Sequence, residues 1–145
     1  MSAPTRPLPH PDRDSAPWWD ALARHQFVLQ RCTRCGAWRF PPRAICNRCG
    51  SFDFEWEPAS GRGTVVSWVV NHHPFSADFA TPYAVLTVQL DEQDDVLIIG
   101  SFRGATDHLR TGLPVRAVFD DIGTTTESGE RNRVTLLSWE SAEPE

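Results

Sequence analysis

Four cysteines are the residues in this chain whose type and spacing dictate a chemistry. Cys32, Cys35, Cys46 and Cys49 read C-x-x-C, ten residues, C-x-x-C. Two residues between paired thiols let the backbone wrap around one ion, and a ten-residue excursion returns the second knuckle to the first. Four thiolates close a tetrahedron around zinc at about 2.3 Å and leave no open position for catalysis. Gly36 and Gly50 follow the two pairs, where a knuckle turn calls for positive φ. A reducing compartment disfavours disulfides, and a redox site would need only one C-x-x-C. Mononuclear iron uses the same ligand set, so the residues alone leave zinc and iron open, with zinc expected in a structural role.

The other candidates are weaker. His72 and His73 precede Pro74 without a carboxylate partner fixed by spacing. No nucleophile elbow, phosphate-binding glycine loop or paired carboxylates at helical spacing is present. All 14 basic residues are arginine, which excludes a Schiff-base lysine. Arg62, inside Gly61-Arg62-Gly63, could meet a phosphate, although a bulge opening the next strand is the favoured reading. Six tryptophans could stack nucleobases or could pack cores and interfaces.

The elements that position these groups follow from periodicity. Trp18 to Gln26 has apolar residues at helical spacing after Pro17. Phe27 to Arg31 and Phe52 to Trp56 read as strands flanking the cysteines. Beyond Gly63, five segments are rich in β-branched and aromatic residues, namely Thr64 to His72, Tyr83 to Leu90, Val96 to Phe102, Val115 to Asp120 and Arg133 to Trp139. In the second, Ala84, Leu86, Val88 and Leu90 share one face. The first is apolar on both faces, with Val65 and Val69 opposite Val66, Trp68 and Val70. Asp91 to Asp95 makes a hairpin turn, and Thr106 to Arg110 a helical turn. Asp121 to Asn132 is expected to be a polar, mobile loop and Ser141 to Glu145 a frayed tail. The predicted fold class is mainly β: an N-terminal helix and rubredoxin-like zinc ribbon, then a five-stranded OB-fold barrel. The expected units are an arm and helix (1–31), the ribbon (32–60), the barrel (61–140) and the tail (141–145).

Bulk properties narrow the function. The chain's 145 residues suffice for one compact domain and a small module. Residues 1–63 hold nine arginines against six acids, a net +3, whereas residues 64–145 hold five against thirteen, a net −8. An acidic barrel suits nucleic acid poorly, because that binding rests on releasing counterions to basic surfaces. The start, MSAPTRPLPHPDRDSAP, has no apolar signal region, and no run is long enough to cross a bilayer, so a cytoplasmic protein is expected.

The segments RCTRCGAWRFPPRAICNRCGS, GRGTVVSW, TPYAVLTVQLDE and TGLPVRAVF together resemble the zinc-ribbon/OB-fold proteins that accompany thiolase-superfamily enzymes. The resemblance runs from about Trp18 to Trp139. It implies zinc as the cofactor, with Cys32, Cys35, Cys46 and Cys49 as its ligands. It implies a non-catalytic subunit bound to a thiolase-like enzyme, with a retro-aldolase for a steroid side-chain CoA thioester favoured over a condensing enzyme. Some members of the family contribute to a CoA pocket, which makes Arg39, Arg43 and Arg62 candidates for CoA-phosphate contacts. Trp18, Trp19 and Leu22, on a helix too short to stand alone, are the candidate partner contacts, or else they pack inside this chain. Two rivals stay open: a single-stranded nucleic-acid binder, and a self-contained acyl-CoA-binding protein.

Overall fold

The computed structural model describes residues 8–125 and 131–144. Helix α1 (Ala16–Ala23) leads into β1 (Val28–Cys32), β2 (Trp38–Arg39) and β3 (Phe54–Pro58), which form a three-stranded sheet in the order β2-β1-β3. The remaining strands are β4 (Arg62–Asn71), β5 (Tyr83–Leu90), β6 (Leu97–Arg103), β7 (Pro114–Thr125) and β8 (Arg131–Ser141), with a 3-10 turn at Thr106–His108 between β6 and β7. They close a barrel in the order β4-β5-β6-β8-β7, with β6 and β8 parallel and the other pairs antiparallel. This is the expected five-stranded OB-fold order. No helix among the described residues is long and apolar enough to cross a membrane.

Helix α1 begins where Asp12 and Ser15 exchange backbone–side-chain hydrogen bonds of 3.0 and 2.7 Å. It stops three residues before the expected Gln26. His25 takes φ +56°, and the Gln26 amide turns back to the Ala21 carbonyl at 2.9 Å. No glycine announces that stop. The His25 ring stacks on Phe119 (centroids 5.2 Å apart), and its Nε2 lies 2.9 and 3.1 Å from the Asp121 carboxylate oxygens.

β5 buries alternate residues Ala84, Leu86, Val88 and Leu90, as its sequence pattern requires. β4 departs from the expected alternation. Its irregularity lies between Val65 and Ser67, not at Gly61–Gly63, so Val65 faces Val88 while Trp68 faces Leu86, and both point inward. One extra residue re-phases the strand. Of the two expected bulge glycines, Gly61 makes a turn at φ +70°. Gly63 permits close approach, since a Cβ there would sit 2.4 Å from the Gln89 carbonyl oxygen. Gly63→Ala is therefore expected to lower stability by about 1–3 kcal/mol, the range for forced overpacking, read as a shift in the urea midpoint. An unchanged midpoint would mean that the β4–β5 register absorbs the methyl freely.

Three expectations need correction. The segment Asp121 to Asn132, expected to be a loop, is strand at both ends, since pairing continues through Ile122↔Val134 to Thr125↔Arg131, and its middle, 126–130, lies outside the described residues. Its threonines are β-branched strand formers, and their polarity masked that preference. The tail is also tied down: Ser141 pairs with Val115, the Ala142 amide donates to the Pro114 carbonyl at 2.9 Å, and Glu143 pairs with Arg110. Finally, β1, expected to precede the ribbon, is its middle strand. It sends Leu29 into the same core as Val65, Leu86, Val88 and Trp139, together with Phe27, Trp18 and Leu22. Ribbon, helix and barrel thus share one hydrophobic interior.

Candidate metal centre

The two cysteine pairs fold into near-copies of one turn. In the first, the Gly36 amide donates to the Cys32 carbonyl at 3.0 Å, and the Cys32 amide to the Ala37 carbonyl at 2.9 Å. In the second, Gly50 donates to Cys46 and Cys46 to Ser51, both at 2.9 Å. Gly36 and Gly50 hold φ +78° and +75°, a conformation that a Cβ would strain.

These turns bring all four sulfur atoms within 4.8 Å of one another. The Sγ atoms of Cys32 and Cys49 are 3.6 Å apart, and those of Cys35 and Cys46 also 3.6 Å. Cys32 and Cys46 are buried, whereas Cys35 and Cys49 are exposed. Amide donors stabilise the buried thiolates. The Cys35 and Arg34 amides hold Cys32 below the usual thiol value, and the Cys49 and Arg48 amides bring Cys46 down to about 6. At Cys49 the Ser51 amide acts downward, but lost hydration and the three neighbouring sulfurs outweigh it and raise the thiol to about 11. Four sulfurs this close cannot all ionise without a cation among them. A closed set of four soft donors with two pre-stabilised thiolates fits zinc in a structural role.

The barrel grips this ribbon through the β5–β6 turn. The Gln93 side chain accepts from the Trp38 amide at 2.9 Å and donates to the Trp38 carbonyl at 2.8 Å, mimicking a strand partner. Arg48, between two ligands, reaches Asp95 at 3.0 Å. Asp95, expected in a hairpin turn, is thus also a tether. Sequence reasoning missed Gln93, because a glutamine in a polar turn carries no signal of its distant partner.

The expected partner and phosphate contacts are redistributed. Trp18 and Leu22 are 5% and 1% exposed, so they pack in the core of this chain, the alternative that the sequence left open. Trp18 meets Phe27 and Phe40 edge-on, with centroids 5.7 and 5.0 Å apart. Trp19 is half-buried at the edge of an apolar cleft beside Val85, Ile99 and Leu137. Arg39 is buried, its Nε donating to Gln30 at 3.0 Å and its guanidinium stacked 4.6 Å from the Phe54 ring centre. Arg43 folds back onto the Phe40 and Pro41 carbonyls. Arg62 is exposed on β4, in register with Arg116. Gln30, also missed, joins Arg39 and Arg43, since its Oε1 also accepts the Arg43 amide at 2.8 Å.

Residues 19–55 match the family model described as the ChsH2 rubredoxin-like zinc ribbon domain, and residues 56–120 the ChsH2 C-terminal OB-fold domain. The chain is 35% identical over 114 residues to the 3-oxo-4,17-pregnadiene-20-carboxyl-CoA hydratase alpha subunit of Mycobacterium tuberculosis, covering 78% of this chain and 36% of that one. It spans about a third of the length of the hydratase α subunits that it matches. It is 30% identical over 131 residues to the benzoylsuccinyl-CoA thiolase subunit BbsA of Thauera aromatica, covering 90% of this chain and 83% of that one. Among solved structures, a chain of the Ltp2-ChsH2(DUF35) aldolase superposes with a TM-score of 0.77 at 34% identity, over 94% of this chain and all of that one.

Proposed function

The chain belongs to the ChsH2 family of zinc-ribbon and OB-fold proteins, and from that premise we propose that it is a non-catalytic accessory subunit of a thiolase-like acyl-CoA enzyme. The observation that carries this reading is the match along nearly the whole chain to one component of a two-component aldolase. The reaction we favour is retro-aldol cleavage of a steroid side-chain CoA thioester. Hydration of an α,β-unsaturated thioester, the kind of step named for the M. tuberculosis relative, yields a β-hydroxy thioester. That product is the substrate class a retro-aldolase takes. The catalytic groups belong to the partner in this reading, and zinc holds the ribbon rigid so that the docking surface is preorganised.

The barrel offers a surface of the right character. The outward residues of β4, β5 and β6 meet in register as Ser67↔Thr87↔Ile99, Val69↔Val85↔Ser101 and Gln89↔Leu97. None is charged, and Val69, Leu97 and Ile99 are 65%, 44% and 67% exposed. A charge-depleted apolar centre is the compositional mark of an interface core. Arg62 is the arginine that remains exposed for a CoA phosphate.

The test is co-expression with the thiolase-like enzyme followed by size-exclusion chromatography and a cleavage assay. Co-elution and activity from the pair alone are expected. Val69→Asp with Ile99→Asp should weaken the complex by about 2–4 kcal/mol, the range of interface hot spots, and leave the isolated subunit folded. Separate elution of the unmodified chains would refute the accessory role. Salt-sensitive binding of single-stranded oligonucleotides by the isolated chain would favour the nucleic-acid rival.

A further inference from the structure

The metal centre has two unlike sides. Cys32 and Cys46 are 1% and 2% exposed, whereas Cys35 and Cys49 stand at the surface. The exposed pair opens into a shallow cavity of about 580 Å³, walled by Arg34, Gly50, Phe52 and Asp53. Among the described residues both exposed cysteines line this cavity, which admits a small neutral oxidant. Each exposed sulfur has a buried one within close reach across the knuckles, Cys35 lying 3.6 Å from Cys46 and Cys49 lying 3.6 Å from Cys32.

We propose that this ribbon is a peroxide-reactive site in which Cys35 and Cys49 are attacked first and Cys46 and Cys32 resolve them, releasing zinc. In the first step an exposed thiolate attacks one oxygen of a hydroperoxide. The O–O bond breaks, the sulfur becomes a sulfenic acid, and hydroxide leaves. In the second, the buried thiolate 3.6 Å away attacks that sulfur, a disulfide forms, and a second hydroxide leaves. Each peroxide accepts two electrons, so about two equivalents convert four thiolates into two disulfides. A disulfide sulfur no longer holds the metal as a thiolate does, and zinc departs as the divalent ion. The two cross-knuckle contacts of 3.6 Å make Cys32–Cys49 and Cys35–Cys46 the disulfides of this proposal. A thiol reductant with added zinc reverses the change.

The experiment uses the full zinc-loaded chain and hydrogen peroxide, with a chromophoric zinc chelator, dimedone as sulfenic-acid trap, and peptide mass spectrometry after quenching. About one zinc per chain should be released by two equivalents of peroxide. Dimedone adducts should fall on Cys35 and Cys49 with about a tenfold excess over Cys32 and Cys46, as their difference in access requires. Without the trap, the two cross-knuckle disulfides should dominate. Zinc held through a large peroxide excess would overturn the proposal. So would adducts chiefly on Cys32 or Cys46, or disulfides within the C-x-x-C pairs. No substitution is needed, so a folding defect cannot mimic any of these results.

Discussion

Removing zinc is expected to loosen the barrel as well as the ribbon. Structural zinc sites contribute about 10–16 kcal/mol of apparent binding energy near neutral pH, and a whole domain is stable by only about 5–15 kcal/mol. The metal-ligand energy therefore stands against the entire margin. It reaches the barrel because Cys32 ends β1 while Leu29, three residues earlier, is 0% exposed in the common core. The second knuckle is joined to the β5–β6 turn by Arg48 and Asp95, and the first by Trp38 and Gln93. Cys46→Ser, or chelation, should abolish the roughly one zinc per chain. Amide exchange should rise in β1 and β3 and also in β5 and at the Asp91–Asp95 turn. Full protection of β5 in metal-free protein would show that the barrel stands alone. Acid should act in the same direction. The Cys46 thiol is lowered from 9.0 to about 6 by the Cys49 and Arg48 amides. Stabilisation from that thiolate is complete above about pH 9, its ordinary value, and is lost as pH falls through about 6. Acid should also favour zinc release, followed with a chromophoric chelator, because protons compete with the metal for the thiolates.

Trp18→Ala is expected to destabilise the isolated chain by about 3–5 kcal/mol, the range for deleting a buried aromatic ring. The ring is 5% exposed and wedged between Phe27 and Phe40, so the surrounding side chains must either collapse or leave a cavity. Its loss also unseats Leu22 and the helix that lies over β8, beside the fully buried Trp139. Trp19→Ala should cost about 1 kcal/mol or less, because that side chain packs only partly against the core. Urea unfolding of both variants checks this. An isolated Trp18 variant with wild-type stability that nevertheless loses its partner enzyme would restore the helix to the interface. The contrast between adjacent tryptophans makes the test specific, since both substitutions remove the same surface area from the unfolded chain.

How far the sequence could be read depends on the range of the interactions involved. The metal site is local: thiol pairs at fixed spacing and the glycines after them are enough to build two knuckles and bring them together. The barrel strands are also local, because alternation in Tyr83–Leu90 follows the two-residue period of a strand. Helix α1 was legible in kind but not in its end, because His25 enters a left-handed conformation that no glycine signals. Asp121–Thr125 and Arg131–Asn132 were expected in a loop because the segment is polar, while antiparallel pairing of β7 with β8 makes them strand.

Composition and spacing by themselves determined that this chain carries a closed four-thiolate metal site followed by five barrel strands in OB-fold order. Both follow from short-range rules, the bite of two-residue thiol pairs and the period of strands. The tertiary structure decided which apolar residues face inward and which charges are spoken for. Trp18 and Leu22 could have served a partner equally well by type, and only docking of α1 onto the barrel consumed them. Arg39 looks like any surface arginine until Gln30 and Phe54 enclose it. Burial is a property of everything that surrounds a side chain, much of it remote in sequence, so no local pattern encodes it.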